Sequence, residues 1–136
     1  MNITREELDD LTYDVIGAAI EVHKNIGPGL LESVYHKCMM HELSSRDISY
    51  KSEVRTPVSY KGLDLETNLR LDLLIEGILA VELKSTNGIV PVFEAQILTY
   101  MKLLKVPKGI LINFNVTNIF KEGQKTFVNE LYRDLG

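Results

Sequence analysis

The chain has 136 residues, 45% hydrophobic and 25% charged, an ordinary globular composition that excludes disordered and fibrous classes and allows one domain spanning residues 1–136. Its single cysteine, Cys38, excludes an intramolecular disulfide and any cysteine-cluster metal site; as a lone cysteine it reads as a small buried helix residue. A net charge of −4, with a pI near 5.4, is not that of a dedicated nucleic-acid binder, whose affinity rests on phosphate contacts.

In chain order, Thr4-Arg5-Glu6-Glu7 is a capping box, and Leu8, Leu11, Val15, Ala19, Val22 and Ile26 recur behind it at helical spacing. Gly27-Pro28-Gly29 should end that helix. A second helix is expected from about Leu30 to Leu43, with Leu31, Val34, Tyr35 and Cys38 on its apolar side and Ser44-Ser45 closing it. Residues 53–60 alternate enough for a strand, Lys61-Gly62 is a turn, and a further strand runs from about Leu65 into Asp72. A hairpin follows, then a loop at residues 85–91 and a helix over 92–104 with Ala95, Leu98, Met101 and Leu103 available for packing. Lys108-Gly109 opens a very apolar strand to Phe114, and the tail carries a possible strand at 125–128 and a weak terminal helix. No repeat or linker interrupts this order. No apolar run approaches the length of a membrane span, and the N-terminus lacks a signal-peptide profile, so cytoplasmic residence without a membrane partner is the expectation.

The hairpin holds the most informative residues. Leu71-Asp72-Leu73-Leu74-Ile75 and Ile78-Leu79-Ala80-Val81-Glu82-Leu83-Lys84 are apolar strands around a Glu76-Gly77 turn, yet three charges interrupt them. A buried charge costs several kcal/mol unless paired or metal-bound, so these three need a reason. Alternation puts Glu82 and Lys84 on one face. A plain two-residue turn would pair Asp72 with Val81 and send Glu82 to the opposite face. A bulge or three-residue loop near residues 76–78, with Gly77 at positive φ, restores the parity. The competing arrangement is an Asp72–Lys84 ion pair with Glu82 at a solvated strand end.

Helices, antiparallel strands, a helix and a returning strand make an α/β fold, a mixed sheet with helices on its faces. Asp72 followed by Glu82-Leu83-Lys84 resembles the metal motif of the PD-(D/E)XK nuclease superfamily, with Leu71 where the motif's name has proline. Gln96-Ile97-Leu98-Thr99-Tyr100 is similar to the glutamine–tyrosine signature of RecB-type nucleases, in which residues four apart share a helix face. Gly29-Leu30-Leu31-Glu32-Ser33-Val34-Tyr35 matches the signature of the GxxExxY family within that superfamily, and residues 17–114 look like that family throughout.

The resemblance implies a restriction-endonuclease-like central sheet flanked by helices and metal-dependent hydrolysis of nucleic acid, DNA before RNA. It implies Mg²⁺ or Mn²⁺ on Asp72, Glu82 and the Leu83 carbonyl, joined by Glu32 directly or through water. Lys84 would orient or activate the attacking water, and Gln96 and Tyr100 would serve the scissile phosphate or the metal water. Glu32 also reads as a first-turn acid favoured by the helix dipole. Tyr35 is expected to pack under Glu32 and orient it, and His23, His36 and His41 to be surface or packing residues. Lys51, Arg55, Lys61, Arg70, Lys102, Lys105 and Lys108 are the bases that could line one side for a polyanion. No sequence-reading motif is present, so specificity would come from a homodimer, a partner protein or DNA structure. The rival readings are a noncatalytic nucleic-acid or protein binding module that keeps the fold, and an enzyme on small nucleotides.

Overall fold

The computed structural model describes residues 2–66 and 69–136. The first helix, α1 (Arg5–Ile26), starts where the Thr4 hydroxyl accepts the Glu7 N–H at 3.0 Å and donates to the Glu7 carboxylate at 3.1 Å. Leu8, Val15, Ala19 and Val22 are buried along it, and Gly27, at φ 71°, turns the chain out of the last turn.

The second helix, α2 (Glu32–Ser45), begins two residues later than its pattern suggests and is rolled onto a different face. Tyr35, Met39 and Leu43 are buried; Leu31 and Val34 are exposed and Cys38 only half-buried. The roll is set by Tyr35, whose ring stacks on Phe114 at 4.3 Å between centroids and 8° between planes. Its hydroxyl donates to the Gly27 carbonyl at 2.6 Å and accepts the Leu30 N–H at 3.2 Å, so the tyrosine acts on Glu32 by fixing the loop that delivers it.

The expected strand over 53–60 is two strands, β1 (Tyr50–Arg55) and β2 (Val58–Tyr60), broken at Thr56-Pro57, where proline removes a ladder donor. Lys61 and Gly62, at φ 48° and 84°, turn β2 into β3 (Leu63–Leu65) as a separate two-stranded ribbon. The strand expected from Leu65 into Asp72 is interrupted: β3 stops at Leu65, β4 (Arg70–Ile75) begins at Arg70, and residues 67 and 68 of that expectation lie outside the described residues.

Next come β5 (Leu79–Lys84), α3 (Pro91–Leu104), β6 (Lys108–Asn113), α4 (Ile119–Glu122), β7 (Gln124–Val128) and α5 (Glu130–Arg133). The five-stranded sheet has the order β1-β4-β5-β6-β7, with β5 and β6 parallel and the other pairs antiparallel. It is a mixed, mostly antiparallel sheet flanked by helices, consistent with the restriction-endonuclease-like fold. Helices α1 and α2 cover Leu73, Ile75, Val81, Ile110 and Ile112 on one face. On the other, α3 packs Ile97, Tyr100 and Met101, instead of Ala95 and Leu98, onto Leu71 and Ala80. That choice is made by Gly109 of β6, where an added Cβ would lie 2.8 Å from Met101 Sδ and 2.9 Å from Ile97 Cγ1. Lys108 beside it is unavailable to any polyanion, being buried and bonded to Asp9 at 2.8 Å.

Replacing Tyr35 by Phe keeps the stack and deletes both loop hydrogen bonds. The variant should lose about 1–2 kcal/mol in urea unfolding with an unchanged m-value; an unshifted midpoint would show that water replaces the hydroxyl without cost.

Candidate active site

Register positions the central charges. Leu73 opposes Val81, Leu74 opposes Ala80 and Ile75 opposes Leu79, leaving Glu76, Gly77 and Ile78 as a three-residue loop closed by the Ile78 N–H on the Ile75 carbonyl at 3.0 Å. The extra residue supplies the parity that a two-residue turn would have lost. Gly77 is at φ 70° as the turn requires, and Glu76 joins it at φ 52°. Two bonds to Ser49 hold Glu76 there: its N–H reaches the Ser49 carbonyl at 3.0 Å, and its carboxylate accepts the Ser49 N–H at 2.9 Å.

Beyond the Leu73–Val81 pair, side chains replace the backbone ladder. Glu82 Oε1 accepts the Asp72 N–H at 2.9 Å, and Asp72 Oδ2 accepts the Leu83 N–H at 2.8 Å. The two carboxylates are thus crossed between the strands. The distortion extends to β1, where Glu53, at φ 51°, falls between the Ser52–Leu73 and Val54–Leu71 pairs, opposite Asp72. Strict alternation fails there: Leu73 and Ile75 face α1 and α2, whereas Leu71 packs toward α3.

Glu82 is 6% exposed, and Lys84 Nζ lies 4.0 Å from its Oε2 and 4.4 Å over the Phe93 ring of α3. Among the described residues the carboxylate paired with Lys84 is that of Glu82, not Asp72, and Glu82 is no solvated strand end. Burial, followed by the neighbouring Asp72 charge, pushes the Glu82 carboxyl up to about 8; the Asp72 N–H bond and Lys84 oppose the shift and Glu32 adds to it. Burial also raises Asp72, against the Leu83 N–H bond and the charges of His36 and Lys84, while Glu53 adds to the rise.

The remaining candidates are spread around this pair. Glu32 is exposed at the first position of α2, near enough for its charge to act on Glu82, but among the described residues no three His, Cys, Asp or Glu side chains converge as a ready metal cage. Tyr100 is buried, its hydroxyl donating to the Arg70 carbonyl at 3.1 Å; burial and then the charges of Glu82 and Asp72 raise its pKa. Gln96, one turn earlier, is exposed. The Leu83 side chain belongs to the core, and its N–H is held by Asp72.

Two groups at the site escape the sequence reading. His36 was expected among surface or packing histidines, but its Nε2 lies 2.8 Å from Ser52 Oγ on β1 and its charge acts on Asp72. The available signal was its spacing, four residues after Glu32 and hence on the same helix face. Glu53 is the other, and nothing in its local sequence announces a left-handed residue in a strand. His23 is a packing histidine, bonded to the Val116 carbonyl at 2.8 Å.

Two clasps fix the end of β5. Ser85 Oγ donates to the Leu30 carbonyl at 2.6 Å, tying the strand carrying Lys84 to the loop before Glu32. Buried Asn113, opposite Lys84 on β6, accepts the Thr86 N–H at 3.1 Å and donates to the Thr86 carbonyl at 3.0 Å.

A sequence model of the PD-(D/E)XK nuclease superfamily matches residues 9–127, a span that includes all the site residues above. Searches among curated proteins and among solved structures find no match. With that match running from α1 through nearly all of β7, the chain belongs to the PD-(D/E)XK nuclease superfamily.

Proposed function

We propose that this protein is a GxxExxY-type, metal-dependent phosphodiesterase that hydrolyses nucleic acid, DNA in preference to RNA, from a cytoplasmic location. The carrying observation is the crossed Asp72–Glu82 pair beside Lys84. Each carboxylate has one oxygen held by a backbone N–H, while Asp72 Oδ1 and Glu82 Oε2 accept no hydrogen bond among the described residues. Two hard oxygen donors made costly by burial and mutual repulsion suit a divalent cation, Mg²⁺ or Mn²⁺, in the place a proton otherwise takes. The Leu83 carbonyl and Glu32, directly or through water, would complete the ligand set. A bound cation would polarise the phosphate and stabilise the leaving oxygen.

The chain's own residues supply the rest. Lys84, steadied over Phe93, orients the attacking water and offsets negative charge developing on the phosphate. Gln96, exposed on α3, is free to reach the substrate phosphate. Tyr100 braces the Arg70 carbonyl two residues before Asp72. Membership in a nuclease superfamily supports nucleic acid as the substrate. No helix among the described residues is long and apolar enough to cross a membrane.

Glu82 makes the metal-free protein pH-sensitive. A folded-state pKa near 8 against an ordinary 4.5 means that the native state holds this proton more tightly than the unfolded chain. The stability that the proton contributes is complete below the unfolded value and is lost as pH rises through the folded one. In the presence of a chelator, Tm should fall between about pH 5 and pH 8, and Glu82→Gln should flatten that fall. Mn²⁺ should restore Tm most at the alkaline end. A wild-type profile matching that of Glu82→Gln would remove the argument for a strained pair.

For activity, Asp72→Asn and Lys84→Ala should each cut Mn²⁺-dependent cleavage of plasmid and single-stranded DNA by at least about 10²-fold while unfolding cooperatively. Calorimetric cation binding without cleavage by the wild type would favour the noncatalytic binding module. Cleavage that survives Asp72→Asn would place the chemistry elsewhere.

A further inference from the structure

The β2–β3 ribbon has no place in the packing described above. Its pairing sets Val58 against Leu65 and Tyr60 against Leu63, which alternation gathers on one face, with Ser59 and Asp64 on the other. Tyr60 and Leu63 are each 60% exposed and Leu65 is 42% exposed; neither hydrophobic core includes them. At the tip, Lys61 Nζ lies 5.4 Å from the Tyr60 ring centroid.

The root of the ribbon carries a second anomaly. Arg55 and Arg70 are direct cross-strand partners, both exposed, and neither has an ion-pair partner among the described residues. Like charges directly opposite one another destabilise a sheet, so this pair suits an anion placed between or above the guanidinium groups. Val54 and Leu71, the next pair inward, pack toward α3, so alternation sends both arginines to the opposite face. The arginine pair is two rungs from Asp72, about 7 Å along the strand.

We propose that the β2–β3 hairpin is a single-strand nucleic-acid arm of the site, with Tyr60 stacking on a base and Arg55 and Arg70 gripping a phosphate of the same strand at the root of the ribbon. This rests on the phosphodiesterase reading and adds the form of the substrate. A duplex hides its base faces and is held by many phosphate contacts, which a chain of net charge −4 is poorly equipped to make. A single strand offers exposed base faces to an apolar ribbon and needs few cations. An apolar partner protein would leave the opposed arginines unexplained.

The chain has no tryptophan, so Tyr60→Trp installs a unique reporter at a solvent-exposed position. With chelator present to prevent hydrolysis, oligothymidylate and oligouridylate should quench its emission, and a same-length duplex should bind more weakly. In fluorescence anisotropy with labelled single strands, Tyr60→Ala should lose about tenfold in affinity and Tyr60→Phe should retain it. Arg55→Ala with Arg70→Ala should lower the salt slope by about 0.7 for each phosphate contact removed. Strand binding that neither quenches the tryptophan nor responds to Tyr60→Ala overturns the proposal, as does a preference for duplex. An absence of oligonucleotide binding, or a dimer in size-exclusion chromatography abolished by Tyr60→Ala, overturns it too. Mn²⁺-dependent cleavage by wild type and by Asp72→Asn, run on the same preparations, reads the phosphodiesterase separately: cleavage that ignores Tyr60 leaves that reading standing.

Discussion

The site depends on the crossed hydrogen bonds between β4 and β5. Once the Asp72 N–H turns to the Glu82 carboxylate and the Leu83 N–H to the Asp72 carboxylate, the backbone groups are satisfied and two negative charges are committed to one small volume. Each bond favours the ionised form of its acceptor, while burial of both groups, joined by the Asp72 charge acting on Glu82 and the Glu53 charge acting on Asp72, opposes ionisation more strongly; the net result is upward shifts on both groups. Neutral backbone partners hold the carboxylates without discharging them. Lys84 offsets them only partly, at 4.0 Å and with its amine shared with the Phe93 ring.

Other elements serve to keep that volume in place. The three-residue loop sets the parity, and the bonds between Glu76 and Ser49 lock the loop against the segment leading into β1. Tyr35 fixes the start of α2 through Gly27 and Leu30, and Ser85 reaches the same Leu30 from the end of β5. A single loop residue, Leu30, thus links the helix bearing Glu32 and His36 to the strand bearing Glu82 and Lys84, its N–H donating to Tyr35 and its carbonyl accepting from Ser85. Native stability is only about 5–15 kcal/mol, so a strained pair costing several kcal/mol has to be offset by burial such as that of Leu73, Val81 and Ile110 on one face and Leu71 and Ile97 on the other.

How much was legible in the sequence follows from the range of each interaction. The hairpin, the need for a bulge or a three-residue loop in it, and the shared face of Glu82 and Lys84 are local consequences of period-two alternation and a glycine turn, and they could be read directly; the choice of the loop could not. The roll of α2 could not, because Phe114, on which Tyr35 stacks, comes much later in the chain. The packing face of α3 likewise depends on a missing side chain at Gly109 of another element. The break at Thr56-Pro57 had its warning in the proline, yet the apolar alternation on either side masked it. Glu53 and Glu76 adopt left-handed backbone conformations that short-range preference disfavours; the bonds to Ser49 hold Glu76 in its own, and Glu53 falls where the β1–β4 pairing is irregular. His36 was visible as a spacing but not as a neighbour of β1, since only the crossing of α2 over the sheet brings it to Ser52.

The acidic balance of the chain, awkward for a nuclease when read as a total, changes meaning once individual bases are located. Lys108 is buried with Asp9, Lys125 is paired with Glu94, Arg46 with Glu42, and Lys84 belongs to the site. These cations are already engaged within the protein and contribute little to a long-range field. A substrate gripped along a broad basic groove would need many free bases. One gripped at the scissile phosphate needs the cation held between Asp72 and Glu82, Lys84 beside it, and a few contacts close by. A divalent cation would neutralise those two carboxylates and present its own charge to the phosphate, with Lys84 beside it, so an acidic total does not by itself conflict with nuclease chemistry.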